Sequence, residues 1–352
     1  MVDRILVWGA GAIGGSVGAW LSRAGRDVTF VDTSTSHVEA MRRTGLHIVG
    51  PVDEFTVHAP AFLPEELTGE WDVVLLAVKA QHTALACDAF VPHLSPRGYA
   101  VSLQNGLCEE RISRIVGTER TVGALIGFAG DQIGPGQIRF GQRAKFCIGE
   151  LDGNVSDRII ALRTLLHDFE PQVEVTENIW GYLWGKLGFI GLLYTTSLGI
   201  SPMVELFRDQ RLLPAWRAVA GEIVEVAMAG NVIPVGFDGF DPQAFVPDAP
   251  DGAARCCLDR LAAFLDGSPK THSGIWRDIA IHRRRTEIDE QIVPVIEAAG
   301  KHGIEVPALR ELTRLVHRLE QGELAQSDEL VRGFAASVQN LAEPAAGMGA
   351  ES

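Results

Sequence analysis

Residues 4–32 read RILVWGAGAIGGSVGAWLSRAGRDVTFVD. An apolar run stops at a glycine cluster. A helix-like stretch, Ile13–Ala24, follows, and a second β-rich run, Asp27–Val31, ends at Asp32. Strand, glycine turn, helix, strand is a βαβ unit, and it puts Gly9-Ala10-Gly11-Ala12-Ile13-Gly14, a G-x-G-x-x-G, at its first turn. Alone the pattern is weak; between a strand and a helix it reads as a dinucleotide loop. Its glycines permit a tight turn and bring a pyrophosphate close to backbone N–H groups at a helix N-terminus. The plainer alternative is an ordinary glycine-rich β-to-α turn. Asp32 is placed to accept hydrogen bonds from ribose hydroxyls and to repel a 2′-phosphate. Thr33-Ser34-Thr35-Ser36 brings no arginine to welcome one. The expectation is NAD(H) over NADP(H), with a turn-capping Asp32 as the alternative.

Outward from this unit, the first half keeps alternating. Trp71–Val78 and Tyr99–Leu103 read as strands and Thr83–Phe90 as a helix. This is the pattern of a doubly wound, Rossmann-type sheet. Between 122 and 148 glycine-punctuated strands (GALIGFAG, GPGQIRF, AKFCIGE) read as hairpins extending that sheet. Ser156–His167 is expected as a helix and Val173–Thr176 as a last short strand. From Glu177 onward apolar residues recur at helical spacing over 203–230, 254–266 and 288–320, with a Gly/Pro/Asp-rich loop at 236–252. The expected fold is therefore α/β followed by an all-α domain. The expected divisions are a dinucleotide-binding domain over 1–176, a helical substrate and dimerisation domain over 177–342, and a flexible tail over 343–352.

Two polar signals fall at strand ends, Lys79 after WDVVLLAV and Gln104-Asn105-Gly106 after YAVSL. Carboxyl ends of parallel strands open onto one crevice, so Gly11, Asp32, Lys79 and Asn105 are expected to line it together. Taken singly, Lys79 reads as a solvated surface lysine and Asn105 as half of a common turn pair. Lys186 poses a sharper question, because LWGKLGFIGLLY (183–194) is otherwise almost wholly apolar. Its ammonium either snorkels to water along its own stem or points into a cleft where a ligand solvates it.

Composition bounds the function classes. The 352-residue chain is 46% hydrophobic, enough for two cores, and its net charge of −14 argues against binding nucleic acid through phosphate neutralisation. Five cysteines without metal-ligand spacing give no zinc site and no disulfide framework, so no metal is expected. No apolar run reaches membrane length, and no basic-then-apolar leader precedes the first strand. The expectation is a cytoplasmic chain without a membrane partner. Broad apolar helical faces give a homodimer as the default.

The ordered set GAGAIG (9–14), VKAQ (78–81), QNG (104–106), WGKL (184–187) and RTEID (285–289) resembles the ketopantoate reductase family over nearly the whole chain. The resemblance implies a Rossmann domain and a helical domain with the active site in the interdomain cleft, and reduction of a 2-oxo acid to a 2-hydroxy acid. It puts Lys186 on the family's catalytic lysine, Asn105 on its substrate- and nicotinamide-side asparagine, Glu287 on the acid near ribose and substrate, and Lys79 on a cofactor-contacting lysine. Ser273 takes a substrate-contact position. Thr286-Glu287-Ile288-Asp289 also reads as a helix start with Thr286 as N-cap.

The departures are specific. Asparagines expected four and eight residues after the lysine are Ile190 and Tyr194, and the Ser-Ser-Met-Leu that precedes the acid is Ser273-Gly274-Ile275-Trp276. The usual NADPH-binding arginine after the second strand is replaced by Asp32-Thr33. Ile190, Tyr194, Trp276 and Phe189 make the expected pocket greasier, pointing to a bulkier or aromatic 2-oxo acid and an NAD-linked branch. The alternatives are 2-dehydropantoate 2-reductase activity itself, an NAD-linked oxidoreductase on another hydroxyl or imine substrate, and a dinucleotide sensor without catalysis.

Overall fold

The computed structural model describes residues 3–266 and 270–342; the tail expected over 343–352 lies outside them. The strands are β1 (Arg4–Trp8), β2 (Asp27–Val31), β3 (Leu46–Val49), β4 (Phe55–Val57), β5 (Ala61–Phe62), β6 (Trp71–Leu76), β7 (Leu94–Ser102), β8 (Thr121–Ile126), β9 (Ala129–Gly134), β10 (Gln137–Gln142), β11 (Phe146–Glu150) and β12 (Glu174–Val175). Eight of them form one sheet in the order β12-β11-β8-β7-β6-β1-β2-β5. β1 pairs in parallel with β2 on one side and β6 on the other, Val7 facing Phe30 and Leu75. The order of strands reverses at β1, which makes its carboxyl end the switch point where such sheets bind ligands.

The apolar runs are continuous because both faces of this sheet are covered. Ile5 and Val7 belong to one buried cluster with Val17, Leu21 and Phe30, while Leu6 and Trp8 belong to another with Ala86, Phe90 and Ile112.

The 122–148 segment departs from expectation in part. β8 and β11 join the main sheet, antiparallel to each other. β9 and β10 instead leave it for a four-stranded sheet in the order β4-β3-β10-β9. Burial gives the reason: every residue of β8 and β11 is buried, whereas QIRF of β10 alternates exposed and buried and so covers one face only.

The chain divides into two compact units, Met1–Leu183 and Trp184–Ser352. The division falls inside the Ile179–Thr196 helix rather than ahead of it. The helix start is tied to the first unit: the Trp180 indole donates to the Leu151 carbonyl at 3.0 Å, and Ile179 packs against Gly123 and Gly149.

The second unit is helical. Leu213–Ala229 is its central helix, burying Trp216, Val219, Ile223 and Val224. The 288–320 stretch, helical in its apolar spacing, forms three helices, Ile288–Gln291, Val293–His302 and Pro307–Glu320. Prolines near the starts of the latter two and Gly303 in a left-handed conformation (φ +68°) set the breaks. Among the described residues no helix is long and apolar enough to cross a membrane, and no group of His, Cys, Asp and Glu could hold a metal ion. All five cysteines are free thiols.

Candidate active site

In the first unit the glycine loop joins β1 to the Ala12–Arg23 helix. Gly9 adopts φ +95°, a conformation disfavoured for L side chains, and a Cβ on Gly14 would collide with the Gly9 carbonyl oxygen. Gly11 is different: a Cβ there would meet nothing closer than Gln132 Oε1, at 3.7 Å. That is ordinary contact, so packing alone does not demand glycine at this position, which adjoins the helix N-terminus, whose first amides have no partner within the helix. Donors of that kind at a helix N-terminus could hold a pyrophosphate.

The Asp32 carboxylate, partly exposed at the end of β2, closes on the same loop. Oδ2 accepts the Ala10 N–H at 3.0 Å, and Oδ1 accepts the Ser34 N–H at 2.9 Å. The turn-capping alternative is thus real, and it leaves lone pairs on both oxygens for a ribose. Lys79 and Asn105 stand just beyond β6 and β7, the next strands over from β1. They are joined through Gln104, whose Nε2 donates to the Val78 carbonyl and to Thr83 Oγ1. Asn105 is exposed, and Lys79 is half-buried.

In the second unit Lys186 is only 8% exposed. Its helix packs through glycines, with Gly185 against the Val235 carbonyl, Gly188 against Phe240 and Gly191 against Val219 and Ile223. Lys186, Ile190 and Tyr194 recur every four residues and so share a face. Ile190 is buried. Tyr194 is 0% exposed, and its hydroxyl donates to Gln291 Oε1 at 3.0 Å. Burial first, then the Glu287 charge, pushes the Tyr194 phenol well above its usual range, so it stays a neutral donor. Phe189 turns instead to Phe237 and Phe240, with ring centroids 5.9 and 6.0 Å away.

Ser273 caps the Gly274–Ala280 helix, its Oγ accepting the Trp276 N–H at 3.1 Å. The Trp276 indole donates to the Gly199 carbonyl at 3.0 Å, and its ring lies 4.0 Å from that of His272. Trp276 thereby ties this helix to the chain leaving the lysine helix. Glu287, half-buried, opens the Ile288–Gln291 turn, so the N-cap lies one residue later than expected. The Thr286 hydroxyl still accepts the Ile288 N–H, at 3.3 Å, and donates to Glu320 Oε1 at 2.7 Å. Within the second unit these contacts tie Tyr194, Gln291 and the Glu287 turn together. Neither His37 in the first unit nor Gln291, the partner of Tyr194, was singled out from sequence, since neither lies in a recognisable motif.

Residues 5–153 match the family model described as Ketopantoate reductase PanE/ApbA, and residues 178–320 match that described as Ketopantoate reductase PanE/ApbA C terminal. A 2-dehydropantoate 2-reductase of Streptococcus pyogenes is 26% identical over 319 residues, covering 90% of this chain and 97% of the relative. One from Mesorhizobium japonicum is 29% identical over 226 residues, covering 57% of this chain and 69% of the relative. A PanE/ApbA family ketopantoate reductase structure from Ralstonia eutropha superposes with a TM-score of 0.76 at 26% identity, over 91% of this chain and 99% of that one. The fold is also that of a D-mandelate dehydrogenase solved with NADH and anilino(oxo)acetate, with a TM-score of 0.78, 20% identity and the same coverage of both chains.

Proposed function

The chain belongs to the ketopantoate reductase family of NAD(P)-dependent oxidoreductases acting on 2-oxo and 2-hydroxy acids, and from that premise we propose that it reduces a 2-oxo acid bulkier than ketopantoate, aromatic ones included, with NADH. The observation that carries the reading is the burial of Lys186 in an apolar helix, with Ile190 and Tyr194 on its own face. An ammonium held out of water is costly and is retained where a reaction uses it. The fold, in the D-mandelate dehydrogenase, takes both NADH and an aromatic oxo acid, so it accommodates each choice.

When bound, the reduced nicotinamide supplies the hydride that the carbonyl carbon receives. The Gly9–Gly14 loop and the Ala12–Arg23 helix start would hold the pyrophosphate, Asp32 the ribose, and Lys79 a further part of the dinucleotide. Asn105 fixes the substrate carbonyl. As negative charge gathers on the carbonyl oxygen, the Lys186 ammonium donates a hydrogen bond and then its proton. In the reverse direction its neutral amine takes the hydroxyl proton. Glu287 supplies a carboxylate to this end of the site, and Ser273 and Trp276 shape the substrate side. The reading includes a homodimer.

NADH preference rests on the Asp32 carboxylate, fixed by two backbone amides, with no basic residue in 33–36. The test is a panel of 2-oxo acids of rising side-chain size against NADH and NADPH, with Lys186→Ala beside the wild type. The expected results are highest kcat/KM with NADH and a large side chain, and a kcat about 10²–10⁴-fold lower in the variant, with NADH binding unchanged. Strong preference for ketopantoate would reject the bulky-substrate reading. It would favour a second one, 2-dehydropantoate 2-reductase, which the curated name of the near-full-length Streptococcus relative supports.

A further inference from the structure

His37, on the Thr35–Thr44 helix after β2, is 0% exposed and makes three polar contacts. Its Nδ1 lies 2.9 Å from the Gly136 backbone N and 3.0 Å from Gln132 Nε2. Its Nε2 lies 2.9 Å from the Ala10 carbonyl oxygen. These partners settle the tautomer. A backbone N–H can only donate, so Nδ1 carries no proton; a carbonyl can only accept, so Nε2 carries one. The imidazole is neutral, with one nitrogen holding the β9–β10 turn and the other holding the glycine loop.

Ala10 is the residue between Gly9 and Gly11. Its N–H is taken by Asp32 and its carbonyl by His37, so both of its polar atoms are fixed from outside the loop. A trans peptide is planar, so fixing the Ala10 carbonyl also fixes the Gly11 N–H on the opposite edge, turned away from His37. That plane sets the direction in which the chain enters the Ala12–Arg23 helix and aims its first amides. The second sheet is seated on the same spot, with Ile138 against Gly15 and Gly130 close to the Ala12 carbonyl.

We propose that His37 is a positioning residue for the coenzyme. Its Nε2–H, through the Ala10 carbonyl, holds the glycine loop in the conformation that receives the pyrophosphate, while Nδ1 anchors the ring to the β9–β10 turn. The inference rests on the coenzyme reading above. Elementary geometry separates the two nitrogens. Nδ1 is two bonds from Cβ, the reach of an asparagine side-chain amide, and Nε2 is three bonds away, the reach of a glutamine amide. His37→Gln therefore retains a donor for the Ala10 carbonyl, and His37→Asn retains only an acceptor for the turn.

The experiment titrates NADH, and separately NADPH, into wild type and both variants by fluorescence, with circular dichroism and melting curves to verify folding. The expected result is a Kd about tenfold or more higher for His37→Asn and within about threefold of wild type for His37→Gln. With a 2-oxo acid turned over by the wild type, the Asn variant raises KM for the coenzyme while kcat at saturation holds. Equal weakening in the two variants, or wild-type binding in His37→Asn, overturns the inference and leaves the coenzyme reading standing. A folded wild type that binds neither dinucleotide overturns both.

Discussion

Replacing Tyr194 by phenylalanine removes one oxygen and keeps the ring, so the packing around a fully buried side chain is preserved. What is lost is the donor to Gln291 Oε1, 3.0 Å away on a residue itself only 3% exposed. A buried acceptor stripped of its donor costs about 1–3 kcal/mol. With a urea m-value of about 2 kcal/mol per molar for a unit of this size, the unfolding midpoint of the helical unit drops by about 0.5–1.5 M. Far-ultraviolet circular dichroism during urea unfolding reads this directly. The decisive control is Gln291→Met in the Tyr194→Phe background. Removing both polar groups together restores most of the loss, because no group is then left unsatisfied. An unchanged midpoint in Tyr194→Phe, or no recovery in the double variant, would refute the assignment. If the hydroxyl serves only this internal bond, Tyr194→Phe also leaves the order of preference across the 2-oxo acid panel unchanged; a reordered panel would give the hydroxyl a direct part in substrate choice.

Two further outcomes follow from packing and one from titration. Gly14→Ala drives a Cβ into the Gly9 carbonyl oxygen and toward Ala77 and Val7, so coenzyme titration is expected to show at least tenfold weaker binding, with about 1–3 kcal/mol lost from the first unit. Gly300→Ala is the opposite case, a helical glycine whose added Cβ meets nothing within 4 Å, and thermal melting should show a gain of about 0.4–1 kcal/mol. Glu222 accepts the Ala308 and Leu309 N–H groups, both at 2.8 Å, yet burial pushes its carboxyl up to about 7 from an ordinary 4.5. A carboxyl raised by folding binds its proton more tightly in the native state, so its contribution is greatest below pH 4.5 and is lost as the pH rises through 7. At about 1.4 kcal/mol per pH unit, the native chain loses about 3 kcal/mol between pH 5 and 8 relative to Glu222→Gln. Urea titrations of the pair across that range would show parallel curves if the reasoning is wrong.

The glycine loop, Asp32 and the lysine helix were legible because each obeys a local rule: glycine at a forced turn, an acid at a strand end, a charge where the pattern demands an apolar residue. The second sheet was not, because β3 and β4 are short, β9 has no buried residue, and the β3–β10 pairing brings His47–Val49 beside Gln137–Arg139 across a long sequence separation. The alternation in QIRF was there to be read, but a strand's period shows which face is buried, not which sheet it joins. His37 was hidden for a related reason. TSHVEAM makes it look like one more residue on a helix face, and its partners Ala10, Gln132 and Gly136 come from two other elements. The break-up of 288–320, by contrast, was announced by Pro294, Gly303 and Pro307 in plain sight.

The helix bearing Lys186 keeps two sets of residues on roughly opposite sides: glycines at 185, 188 and 191 press against neighbouring backbone and side chains, while 186, 190 and 194 form the side to which the proposed function assigns chemistry and selectivity. Drift on the second side need not unseat the first. On the proposed reading, a lineage can exchange amides for isoleucine and tyrosine there, trading one clientele of acids for another, while the rod that holds the amine stays where it was.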